Sequence, residues 1–236
     1  MPRVMPPDRF DDLIRCATEV FSTQGYRRTQ MAGIADAVGV SKATLYLYVE
    51  SKDALLWLCL RHSDDPNKIG RPDVLPVPTP PPGRLAEEVE ARIRQVAKFP
   101  VLAEALRKPR AGDIRRELHD VLDELYTLLE TNCRAARMLE RCSDHPGLGP
   151  LWHSMVRAPG RGDLARYVAQ RMRAGQLRQV ETPQLAARIA LETVATWAMH
   201  IKWDKAPESY EPVSTKAAVI EQICRSLLSD EALVGE

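Results

Sequence analysis

Seven prolines fall within residues 64–83, DDPNKIGRPDVLPVPTPPPG. Proline fixes φ and carries no amide hydrogen, so a regular helix cannot run through this stretch. The chain is thereby divided into 8–63, the Pro-rich stretch 64–83, and 84–236. The middle stretch reads as an extended, solvated connector, or as a docking motif for a partner domain.

The flanking regions read as helical. Phe10, Leu13, Ile14, Ala17, Val20 and Phe21 form one apolar stripe at helical spacing. Gly25 supplies a left-handed stop after it. Thr29, Ser41 and Ser51 are each placed to cap a following helix. Beyond the prolines, helices are predicted over 85–99, over 113–142 with a break near Asn132, and at about 150–158, 163–174, 183–204 and 214–229. The expected fold class is all-α.

Composition agrees. Phe, Tyr and Trp are few, at 6%, and 44% of residues are hydrophobic against 28% charged, the balance of a globular chain. No apolar run approaches the roughly 18 residues of a membrane span. The N-terminal dozen residues lack the apolar core of a secretory leader. The five cysteines, Cys16, Cys59, Cys133, Cys142 and Cys224, form no CxxC pair, which predicts neither a disulfide framework nor a zinc site. A reducing cytoplasm is the expected address.

Residues 31–50, MAGIADAVGVSKATLYLYVE, hold the informative pattern. Ala35 is small where two helices cross. Gly39 can take the positive φ of a tight turn. Ile34, Val38, Val40 and Leu45 supply the seam between the helices. This describes a helix-turn-helix whose second helix enters a DNA major groove. Between residues 25 and 52, four bases (Arg27, Arg28, Lys42 and Lys52) stand against the acids Asp36 and Glu50. Phosphate affinity would rest on a few placed contacts, not on a broad basic field.

The same segment resembles the TetR family of bacterial transcription regulators. The residues that carry the resemblance are Gly25-Tyr26, Thr29, Ile34-Ala35 and GVSKATLYLYVESKDALL at 39–56. It implies an N-terminal three-helix helix-turn-helix domain followed by a C-terminal helical domain that binds ligand and dimerises. It implies a homodimer on a palindromic double-stranded DNA operator, with contacts from Arg28, Thr29, Lys42, Ala43, Thr44, Tyr46, Leu47, Tyr48 and Lys52. Lys42 is placed for a guanine edge or a phosphate. Thr44 is placed for a phosphate, a thymine methyl or helix support. Tyr48 and Lys52 match phosphate-contacting positions. Tyr46 matches one too, or packs on the first helix. Thr29 offers a hydroxyl beside backbone amides, for a phosphate or a plain cap. Leu45 reads as core.

In the C-terminal region, 183–204 is apolar nearly all round, which predicts burial on most sides. The family would place it in a dimer interface with the helix near 163–174. Tyr126, Met138, Trp152, Met155, Trp197 and His200 are candidates for lining a pocket that takes a small apolar or aromatic inducer, although residues of these types at helical spacing more often form ordinary core. The expected function is a ligand-responsive, sequence-specific DNA-binding regulator, a repressor released by its inducer. A constitutive DNA-binding dimer and a cysteine-based redox sensor using Cys133 and Cys142 are the alternatives. An enzyme is not expected, because no GxSxG, Walker or GxGxxG pattern occurs. No cofactor and no metal are expected. Asp144, His145 and His153 flank a Pro/Gly turn without ligand spacing and read as solvated.

Overall fold

The computed structural model describes residues 7–63, 72–206 and 209–234. Among them every regular element is a helix: α1 Pro7–Gln24, α2 Met31–Val38, α3 Lys42–Leu45, α4 Lys52–His62, α5 Arg84–Val96, α6 Pro100–Arg107, α7 Ile114–Thr131, α8 Cys133–Arg141 and the single turn α9 Gly149–Leu151. A π-turn, Trp152–Arg157, runs into α10 Ala158–Arg173. Then come α11 Pro183–Ala198, a 3-10 turn His200–Trp203, α12 Pro212–Leu227 and α13 Asp230–Val234. The all-α reading holds.

The helix limits follow local chemistry. Gly25 and Gly39 take φ of 78° and 74° after α1 and α2. Ser41 and Ser51 cap α3 and α4 by accepting the amides of Thr44 and Ala54. Pro100, Pro183 and Pro212 stand in first turns, where their missing amides cost nothing. Asn132 ends α7, at the expected break. One capping expectation is corrected. Gln30, not Thr29, is the N-cap of α2, and it makes no side-chain cap. The Thr29 hydroxyl instead donates to the Gly25 carbonyl at 2.6 Å from a buried position.

The helices form two compact units. The first comprises residues up to Ile93 together with Arg134–His153. Its core holds Phe10, Leu13, Ile14, Ala17 and Phe21 of α1, Ile34 and Ala35 of α2, Leu45 of α3, and Leu55, Leu56 and Cys59 of α4. The α1 stripe is therefore buried as predicted, with Val20 at its margin. Arg84–Ile93 and Arg134–His153 lie beyond the prolines in sequence, yet they pack with this unit. Part of the supposed connector does the same. Residues 64–71 lie outside the described residues, but Val77 is buried and forms a parallel bridge with Val49.

The second unit comprises Arg94–Cys133 and the chain from Ser154 onward. Leu118, Val121, Leu122 and Leu125 of α7 pack with Leu164, Tyr167 and Val168 of α10, Ala187, Ala190 and Val194 of α11, and Ile220 and Ile223 of α12. A fully buried Arg171 sits in this unit. Its guanidinium donates to Glu117 at 2.7 Å and to the carbonyls of Lys108 and Ala105 at 2.9 and 2.7 Å. That set of partners is what makes a buried cation tolerable. Within one chain, 183–204 buries one face. Ala187, Ala190, Val194 and Ala198 face the core, but Leu185 and Ile189 remain 56% and 59% exposed. The helical spacing of the small residues already serves the core, so the larger apolar pair is left on another face.

Candidate nucleic-acid interface

The turn between α2 and α3 is fixed by its own backbone. The Gly39 amide donates to Asp36 at 3.1 Å and the Val40 amide to Ala35 at 2.9 Å. Ser41 then accepts the Thr44 amide at 3.0 Å, and the two hydroxyls lie 2.8 Å apart. Behind α3, Leu45 is fully buried. In front, Lys42, Ala43, Tyr46 and Leu47 are exposed, Leu47 by 68%. Lys42 and Ala43 lie on α3 itself, Tyr46 is its C-cap, and Leu47 follows in the turn. The structure thus leaves four of the nine sequence candidates exposed, two on α3 and two just past its end.

The other candidates are placed differently. Thr44 is half-buried and held by Ser41. Tyr48 is buried. Arg28 is exposed in the loop before α2, beside Arg27. Lys52 turns inward: its ammonium donates to the carbonyls of Tyr26 and Thr29 at 2.9 and 3.1 Å and lies 4.1 Å from the centre of the Tyr26 ring. In this conformation Lys52 ties the start of α4 to the α1–α2 loop.

Tyr26 is the hub of that loop. Its hydroxyl donates to Asp53, while burial, followed by this bond, raises its pKa above the ordinary tyrosine value. The His145 ring meets it edge-on with centres 4.6 Å apart, and His145 Nε2 is 3.7 Å from Asp53 Oδ1. Asp144 accepts the amides of Tyr26 and Arg27 at 3.1 and 2.9 Å. The expectation of a solvated acid in the 144–150 turn is therefore corrected: Asp144 and His145 are half-buried bonding partners. A Cβ on Gly25 would lie 2.5 Å from the Arg141 carbonyl, and Arg141 in turn donates to the Thr23 carbonyl at 2.6 Å. Sequence reading missed this cluster because nothing local marks partners so distant in the chain.

The pocket candidates divide between the units. Met138 and Trp152 are buried in the first. Tyr126, Met155, Trp197 and His200 belong to the second. There Tyr126 is buried and donates to the Trp197 carbonyl at 3.3 Å, and Trp197 meets Tyr210 edge-on at 5.9 Å. Met155 and His200 are half-buried. Two open clefts of about 550 and 520 Å³ flank α6, the first lined by Lys98, Asp123 and Thr127, the second by Glu104, Lys108 and Arg116. None of the six candidates lines either cleft.

The cysteines are free thiols. Burial pushes Cys59 and Cys142 up to about 12, away from the reactive thiolate. Cys133 belongs to the second unit and Cys142 to the first; Lys202 Nζ lies 3.4 Å from the Cys133 sulfur. Among the described residues no group of three or more His, Cys, Asp or Glu side chains is disposed to hold a metal ion. No helix among them is long and apolar enough to cross a membrane.

Residues 13–57 match the sequence model of the bacterial regulatory proteins, tetR family. No curated protein matches the chain. Among solved structures, a bacterial regulatory protein in the tetR family from Rhodococcus RHA1 is 17% identical, with 96% of this chain and 100% of that chain covered and a TM-score of 0.51. A member of the TetR transcriptional regulator family from Streptomyces coelicolor A3 is 19% identical, with 90% of this chain and 87% of that chain covered and a TM-score of 0.51. At these identities the likeness is one of fold.

Proposed function

We propose that this chain, whose residues 13–57 are a TetR-family helix-turn-helix unit, is a sequence-specific DNA-binding transcriptional regulator. The observation that carries the reading is the exposure of Lys42 and Ala43 on a short helix, and of Tyr46 and Leu47 just past its end, with Leu45 buried behind them. Lys42 reads a base edge. Tyr46 and Leu47 supply apolar contact to thymine methyls and sugar. Arg28 contacts phosphate, while Thr29, Tyr48 and Lys52 shape the unit from within. The family resemblance supports a homodimer on a palindromic operator, and the exposed Leu185 and Ile189 of α11 offer an apolar face for it. Release by a small apolar or aromatic inducer completes the reading; Tyr126, Met155, Trp197 and His200 in the second unit are the residues offered for it.

Selection of bound duplexes from a random pool tests the central statement, with a palindromic consensus expected. Lys42→Ala then costs about 1–3 kcal/mol and relaxes one base pair per half-site. Arg28→Ala weakens all sequences alike and flattens the logarithmic salt slope by about 0.9. A Lys42→Ala consensus identical to the wild type removes the base-reading role.

A further inference from the structure

We propose that residues 75–79 form a positioning strap for the recognition helix α3, and that Val77 and Thr79 govern the accuracy of DNA reading from behind it. The inference rests on the DNA-binding reading above. In 76–82, PVPTPPP, only Val77 and Thr79 carry amide hydrogens. Both are used on the same short segment. The Val77 amide donates to the Tyr48 carbonyl at 2.8 Å, and the Glu50 amide returns to the Val77 carbonyl at 3.0 Å. The Thr79 amide donates to the Glu50 carboxylate at 2.8 Å, and its hydroxyl lies 2.8 Å from that of Ser51, the cap of α4. Val77 and Val49 are both buried.

The segment so gripped directly follows α3 and is bonded back to its last residue. The amides of Tyr48 and Val49 donate to the Leu45 carbonyl at 3.0 and 3.3 Å. The helix α3 is a single turn of four residues, too short to be stable by itself. Its position is set by Ser41 at its start, by the buried Leu45, and by the strap on the segment that follows it. Prolines keep the strap extended before it docks, so little chain entropy is lost in holding it. Reading a base edge needs side chains held within about 0.5 Å, and a phosphate contact is less exacting. Loosening the strap therefore harms sequence-specific binding more than general binding.

The experiment uses the full chain, the duplex selected by the wild type, and an unrelated duplex of equal length at the same salt. Thr79→Pro removes the amide on Glu50 and the hydroxyl at Ser51 from an exposed position, Val77→Ala loosens the buried contact, and Thr79→Ser keeps both Thr79 bonds. Expected are about tenfold weaker binding of the selected duplex by the first two variants, the size of one mismatched base pair, and unrelated-duplex affinity changed less than about twofold. Thr79→Ser should bind as the wild type. Unchanged binding by Thr79→Pro, or an equal loss on both duplexes, overturns the positioning role alone. Fast hydrogen exchange of the Val77 and Glu50 amides in the wild type overturns it without any variant. A wild type that selects no sequence overturns the functional reading and this one together.

Discussion

Asp144 holds Tyr26 across 118 residues of sequence, its carboxylate accepting the Tyr26 amide at 3.1 Å and, through its other oxygen, the Arg27 amide at 2.9 Å. Both amides belong to the loop that enters α2. Removing the acceptor leaves two half-sheltered donors without it and frees a loop that also carries Arg28. Asp144→Ala is expected to lower stability by about 1–3 kcal/mol, read as a shift of the urea midpoint at constant slope. An unchanged midpoint means that water replaces the carboxylate without cost.

Acid is expected to weaken the same cluster. Burial holds the His145 ring below its ordinary value of 6.5; Lys52 adds to that, while Asp53 and Asp144 oppose it. Burial lowers His62 as well, with Arg61 and Arg92 adding to it and Asp11 opposing. In the unfolded chain both rings take up protons at a higher pH than in the folded one. Between those values the unfolded state binds more protons, so stability falls as pH drops through 6.5. The fall ends once the folded rings are themselves protonated. Denaturant melts across this range should show the decline, and His145→Gln should remove part of it. A variant with the same pH slope as the wild type excludes His145 as a contributor.

On α11 the exposed and buried apolar residues should respond in opposite ways to a charge. Ile189→Glu is expected to give a folded monomer in sedimentation, because a charge facing an apolar partner surface costs several kcal/mol. Ala198→Glu, in the core, is expected to unfold the second unit instead, seen as lost helical circular dichroism. An Ile189→Glu dimer as tight as the wild type places the interface elsewhere.

The parts of this molecule that could be read from sequence are those with local causes. The α1 stripe, Gly39 and the Ser41 and Ser51 caps each act within a few residues, and the fold class and helix-turn-helix follow from them. What was hidden depends on partners far along the chain. The charge of Lys52 is visible in the sequence, while the carbonyls of Tyr26 and Thr29 that take its ammonium are not. Arg171 looks like any surface arginine until Ala105 and Lys108, more than 60 residues earlier, are brought to it. Thr29 has the better capping side chain, yet the tight turn at Gly25 claims its hydroxyl and moves the cap to Gln30.

The bridge between Val49 and Val77 is the nearest thing to a β-ladder among the described residues of the first unit, and its flanks forbid it to grow. Pro76, Pro78 and Pro80 offer no hydrogen to a further strand, and the amides of Val77 and Thr79 are already satisfied by Tyr48 and Glu50. An exposed edge with free amides is a template on which other chains stack into fibrils. This one is sealed chemically: the residues that make the strap stiff also make it self-limiting. Exchanging Pro78 for valine would restore an amide hydrogen and unseal the edge, turning an internal brace into a nucleus for aggregation.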